Sequence, residues 1–226
     1  MARRCLSCVG VVCSLLLSAC GGGGGSSSGG EGGSDAYGVR VLHAAIDGSP
    51  VDVRSSLRAE PVLLQAVFAG TKGYRSIPRG EQTLALTRPF SPSDVIASFN
   101  TSVGSGDRYS ILLYGDNLTF GLRARLIADD VPASITGSAV RVVNGVTGAS
   151  ALVVAVGSGQ VTQVGFGENS GYIQTASGSV HISASRSADG SAVVSTNRTL
   201  EEGRAYTILI AGQIGYYVRS NMFVDK

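Results

Sequence analysis

The chain alternates apolar and polar residues over short stretches and breaks them with glycine and serine. "TLALT" (Thr83–Thr87) and "SVHISAS" (Ser179–Ser185) carry the period of two that marks a strand with one buried face. "YSILLYG" (Tyr109–Gly115) and "YTILIAG" (Tyr206–Gly212) are short apolar runs and predict central strands. "VRVLH" (Val39–His43) and "VRVVN" (Val140–Asn144) predict two more. No long stretch carries a helical stripe. "SPSDVIASF" (Ser91–Phe99) reads at first as a capped helix, but its counterpart "DGSAVVSTN" (Asp189–Asn197) is a strand pattern, so both are predicted as strands.

These segments are one pattern written twice. "VRVLHAAIDGSPVDV" (Val39–Val53) matches "VRVVNGVTGASALVV" (Val140–Val154), and "GYRSIPRGEQTLALT" (Gly73–Thr87) matches "GYIQTASGSVHISAS" (Gly171–Ser185). "VIASFNTSVGSGDRYSILLYG" (Val95–Gly115) matches "AVVSTNRTLEEGRAYTILIAG" (Ala192–Gly212), and "RLIADD" (Arg125–Asp130) matches "NMFVDK" (Asn221–Lys226). The order is kept and the spacing drifts only as small loop insertions require. Two homologous domains follow, 37–133 and 134–226. About seven strands in roughly 95 residues suits an all-β fold of two tandem immunoglobulin-like antiparallel β-sandwiches. "VGSGDRY" (Val103–Tyr109) and "LEEGRAY" (Leu200–Tyr206) resemble the tyrosine corner of such sandwiches, so Tyr109 and Tyr206 are expected to hydrogen-bond to upstream backbone. With no Trp and no cysteine pair in either domain, the core must rest on Val, Leu, Ile and a few aromatics, including Phe68 and Phe166 at matching places.

The N-terminus reads as an address. Arg3 and Arg4 precede the apolar run Val9–Leu17, which is about half of the roughly 20 residues a helix needs to span a bilayer. "LSAC" (Leu17–Cys20) resembles the lipobox of bacterial lipoproteins, which implies a signal peptide over 1–19 and a lipid anchor on Cys20. Gly21 after that cysteine, rather than Asp, favours the outer membrane if the cell is Gram-negative. Cys5, Cys8 and Cys13 lie inside the expected signal, so neither a disulfide nor a thiol nucleophile is expected in the domains. The Gly- and Ser-rich stretch completing 20–36 has nothing to bury and reads as a flexible linker with a reach of roughly 20–24 Å.

Charge narrows the partners. The full chain has eighteen basic and sixteen acidic residues. Without Arg3 and Arg4 the two sets balance, so neither a nucleic-acid footprint nor a polybasic lipid patch is present.

Candidate chemistry is sparse. His43, Asp47 and Asp52 lie close in sequence and could form a ligand site or a base with an orienting carboxylate. Their counterparts are Asn144, Gly148 and Val153, so strand-end and turn roles are the leading reading. His181 alternates with Val180 and Ile182 and is expected to face solvent. Asp129 and Asp130 at the junction read as a solvated linker, with Ca²⁺ binding as the alternative. The folded region has no Gly-x-Ser-x-Gly elbow, HExxH, P-loop or EF-hand loop. No catalytic residue, metal or cofactor is therefore expected.

"VRVLHAAIDGSPVDV", "GYRSIPRG" (Gly73–Gly80) and "DRYSILLYG" (Asp107–Gly115) resemble the domain-of-unknown-function 4397 family of bacterial secreted proteins and lipoproteins. The resemblance covers 37–226, is stronger in the first repeat, and supplies no reaction. It implies an immunoglobulin-like fold in the periplasm or at the cell surface. The expected function is a non-enzymatic cell-envelope lipoprotein, held to the membrane through Cys20, with binding or structural roles toward a protein or cell-wall partner. The alternative is a carbohydrate-binding accessory module, with a hydrolase third. Against sugar stacking, aromatics are 6% of residues and Trp is absent. Tyr216 and Tyr217 are the best pair, but adjacent strand residues should face opposite sides.

Overall fold

The computed structural model describes residues 38–119, 121–158 and 160–226. The expected signal peptide over 1–19, Cys20 and the expected linker lie outside the described residues. Strands β1 (Gly38–His43), β2 (Val51–Ser55), β3 (Leu63–Ala66), β4 (Gly80–Arg88), β5 (Ser91–Val103), β6 (Arg108–Asp116) and β7 (Gly121–Ala128) build the first half. Strands β8 (Ser138–Thr147), β9 (Ala151–Val156), β10 (Gln160–Gly165), β11 (Asn169–Thr175), β12 (Gly178–Arg186), β13 (Ala192–Leu200), β14 (Ala205–Gln213) and β15 (Tyr217–Val224) build the second. The segment that resembled a capped helix lies in β5, as a strand.

Each half is a sandwich of two sheets. In the first, the outer sheet runs β3-β2-β4-β5 and the inner sheet β1-β6-β7; in the second the outer sheet runs β10-β9-β12-β13 and the inner β11-β8-β14-β15. β1 pairs with β6 in parallel, Val39 opposite Tyr109, and β8 pairs with β14 in parallel, Val140 opposite Tyr206. The place of β11 is taken in the first half by a single bridge, Val39 to Arg75. Gly38 admits that bridge: its φ is +129°, and a Cβ there would lie 2.0 Å from the Arg75 carbonyl oxygen.

The sandwich class agrees with the sequence reading, but the strand order does not follow an immunoglobulin domain. There the sheets run A-B-E-D and C-F-G. Here the first strand of each repeat sits in the sheet of the last two and pairs in parallel. Periodicity reports which residues face inward, not which strand lies beside which.

Burial explains the two kinds of strand. In β12, Val180, Ile182 and Ala184 enter the core while Ser179 and His181 stay exposed. β1 and β8 are buried at every position. Val39 and Val41 join the core of the first sandwich, and Val140 and Val142 that of the second. Their alternate residues Leu42 and Val143 join a third cluster, with Leu112, Ile127, Leu209 and Ala211. The inner sheets are therefore covered on both faces, each by its own outer sheet and by the other repeat.

Candidate functional site

The alternation that sends Val39 and Val41 into their own core sends Arg40 the other way, into the contact between the repeats. Arg141 does the same from β8. Both are about 1% exposed. A charge so buried requires partners. Arg40 Nη1 lies 2.7 Å from Asp225 Oδ1, and Arg141 Nη2 lies 2.6 Å from Asp129 Oδ1. Each ion pair crosses between the repeats.

The remaining donors and acceptors come from matched positions. Tyr74 Oη donates to Asp129 Oδ2 at 2.7 Å, and Tyr172 Oη donates to Asp225 Oδ2 at 2.8 Å. Ser110 Oγ donates to Asp129 at 2.7 Å and accepts from Arg40 Nε at 2.8 Å. Thr207 Oγ1 donates to Asp225 at 2.6 Å and accepts from Arg40 Nη2 at 3.0 Å and Arg141 Nη2 at 2.9 Å. The guanidinium of Arg40 lies 4.6 Å from the Tyr74 ring centroid, and that of Arg141 5.0 Å from the Tyr172 ring. Arg40 and Arg141, Tyr74 and Tyr172, Ser110 and Thr207, Asp129 and Asp225 are thus related by a pseudo-two-fold. Close to that relation, Gly145 packs against Ala44: a Cβ on Gly145 would lie 2.1 Å from the Ala44 Cβ.

The electrostatics follow from burial and charge together. Burial alone would lower the Arg40 pKa, but the Asp225 and Asp129 carboxylates outweigh it and raise it. Arg141 is raised by the same balance, with Asp129 as the leading carboxylate. Burial pushes the Tyr74 and Tyr172 phenols up; Arg40 and Arg141 oppose this, and the carboxylates reinforce it. Both phenols stay protonated and serve as donors.

The sequence reading missed this cluster and mistook one member. Asp129 is not in a solvated linker: it is 7% exposed and held by Arg141, Tyr74 and Ser110, because β7 carries it into the contact between repeats. A signal was present. Each copy carries an arginine inside an otherwise apolar first strand, and an aspartate closes each copy's last.

The predicted trio is not assembled. His43 is fully buried, and its Nε2 donates to the Ser49 carbonyl at 3.1 Å, while Nδ1 has no partner. Burial lowers its pKa, so the ring is neutral. Asp47 is exposed and accepts from the Asn117 backbone N–H at 2.9 Å. Asp52 is buried and accepts from the Gln65 N–H at 2.8 Å, holding a residue with φ of +51°. Among the described residues, no hydrogen bond or ion pair joins the three. No group of His, Cys, Asp and Glu suited to a metal ion occurs among them either.

Tyr109 Oη donates to the Ser102 carbonyl at 3.0 Å, and Tyr206 Oη accepts from the Glu201 N–H at 2.9 Å. Phe166 meets Tyr114 edge-on at 4.9 Å, and Phe68 meets Tyr217 at 6.5 Å, each contact between repeats. Tyr216 and Tyr217 do not face opposite sides. They are 80% and 47% exposed, because Tyr216 lies in the turn before β15 rather than in the strand.

The fold and the crossing cluster define a tandem β-sandwich protein whose repeats pack face to face. The chain belongs to the DUF4397 family, a domain of unknown function, which matches residues 37–155 and 138–225. No curated protein sequence matches it. Among solved structures, a carbohydrate-binding module (family CBM26) from Eubacterium rectale Amy13K in complex with maltoheptaose is similar at 10% identity. That match covers 82% of this chain and 95% of the module, with a TM-score of 0.28, too loose an overlap to carry an argument.

Proposed function

We propose that this is a non-catalytic lipoprotein of the bacterial cell envelope, anchored by lipid on Cys20, whose two sandwiches act as one rigid body that binds another envelope component or has a structural role. The observation that carries this reading is the crossing ion-pair cluster. It commits two arginines, each about 1% exposed, to holding the repeats together. The ionisable residues closest to chemistry also serve the scaffold: Asp52 holds a strained backbone and His43 ties down a loop. Cys20→Ser is expected to move the protein from the membrane to the soluble fraction; retention in the membrane would remove the anchor from the proposal. Crosslinking on intact cells, with the same variant as control, identifies the partner. Recovery of none but the chain itself would leave only the structural role.

One observation favours a second reading, a carbohydrate-binding module. Tyr216 and Tyr217 both border an open cavity of about 300 Å³ with Arg186, Ser191 and Gln213. Exposed rings beside polar side chains suit a sugar face. A glycan array with the wild type and Tyr216→Ala tests it, and an unaltered binding pattern in the variant would rule these rings out.

A further inference from the structure

We infer that the inner face of each repeat fits the opposite repeat of a second copy of this chain, so that two chains can exchange repeats and close into a two-fold dimer. Each face presents an arginine on its first strand and an aspartate after its last, and the ion pairs run from one face to the other: Arg40 to Asp225, Arg141 to Asp129. A face whose cation meets the partner's anion, and whose anion meets the partner's cation, is self-complementary, as an isologous interface requires. The apolar rows obey the same relation, with Leu42, Leu112 and Ile127 meeting Val143, Leu209 and Phe223.

None of these contacts depends on both repeats belonging to one chain. The covalent link between them is the short junction from Asp129 to Gly137. Exchange keeps every ion pair, hydrogen bond and apolar contact across the faces and re-routes the junction alone. The single-chain arrangement is favoured by the high effective concentration of a tethered partner. When the exchange is reciprocal, each repeat of one chain meets the opposite repeat of the other and the pair closes as a dimer.

Charge reversal tests this on the full-length chain carrying Cys20→Ser. Arg40→Asp alone sets two carboxylates against each other, and Asp225→Arg alone sets two guanidinium groups against each other. When the two variants are unfolded and refolded together, exchange lets each introduced charge meet its opposite on the other chain, while the native pair re-forms at the second position. The expected result is a species of twice the chain mass, absent from either variant refolded alone, with a thermal midpoint above both. A co-refolded sample with the mass and midpoint of the separately refolded variants overturns the inference. A second arm leaves both faces native and removes Val131–Thr136 from the junction. This shortened chain is expected to be a dimer, and a folded monomer overturns the inference equally.

Discussion

The two repeats differ most where they look most chemical and least where they touch. At the end of β1 the first repeat has His43 and the second, at the end of β8, has Asn144. Asn144 is satisfied at both ends: its Nδ2 donates to the Val164 carbonyl at 3.1 Å and its Oδ1 accepts from the Val146 N–H at 3.0 Å. His43 anchors one loop and leaves a ring nitrogen without a partner. Nearby, β11 is a full strand in the second repeat and a single bridge in the first. Across the contact, by contrast, arginine answers arginine, tyrosine answers tyrosine and aspartate answers aspartate. The loops can drift because each solves a local hydrogen-bonding problem, whereas a change to one member of the crossing cluster strands a buried charge on the other repeat.

The sharpest way to break the comparison is to remove one carboxylate. Asp129→Ala and Asp225→Ala should each lower the unfolding free energy by about 3–5 kcal/mol, because each leaves a buried guanidinium uncompensated. Urea melts should give similar losses for the two, and a large inequality would end the pseudo-two-fold as an energetic description. Gly145→Ala comes next. Its new methyl group would collide with Ala44, at a cost of about 1–3 kcal/mol, and Ala44→Gly in the same chain should recover most of it. Tyr206→Phe should cost about 1 kcal/mol through its lost bond to the Glu201 N–H. Tyr109→Phe should cost less, since that ring is only half-buried.

The smallest effect concerns His43. Its folded pKa lies below the unfolded value, so the unfolded chain takes up the proton first as pH falls through about 6.5. The neutral ring therefore contributes stability above that pH that is lost below it. His43→Asn should flatten the stability profile between about pH 7 and pH 5, measured by denaturant melts at the two ends. An unchanged slope would assign the acid sensitivity to another group.

Much of the architecture was legible. The period of two in β12, the apolar runs of β6 and β14 and the duplicated order depend on local patterning, which survives in a linear string. What was not legible depends on neighbours. The parallel β1–β6 pairing joins residues about 70 positions apart, and nothing local distinguishes it from an antiparallel alternative. Arg40 could not be singled out from the string, because a polar residue within an apolar strand leaves the same mark whether it faces solvent or a second repeat. Asp129, beside Asp130 near a proline, had the composition of a linker. Only its counterpart Asp225, equally placed after an apolar strand, hinted otherwise. Tyr216 was misjudged through a boundary shift of one residue, enough to move it from a strand to a turn.

The position of β1 has a mechanical consequence. It is the outer strand of the three-stranded inner sheet, bound to β6 along its length and bridged on its other edge to Arg75. A pull on Gly38 directed along the strand axis loads the bonds from Gly38 to His43 together, so they must slide past β6 as a set instead of peeling apart one at a time. The start of the first repeat is thereby built as a shear clamp, with Arg40 as a cross-pin to the second repeat.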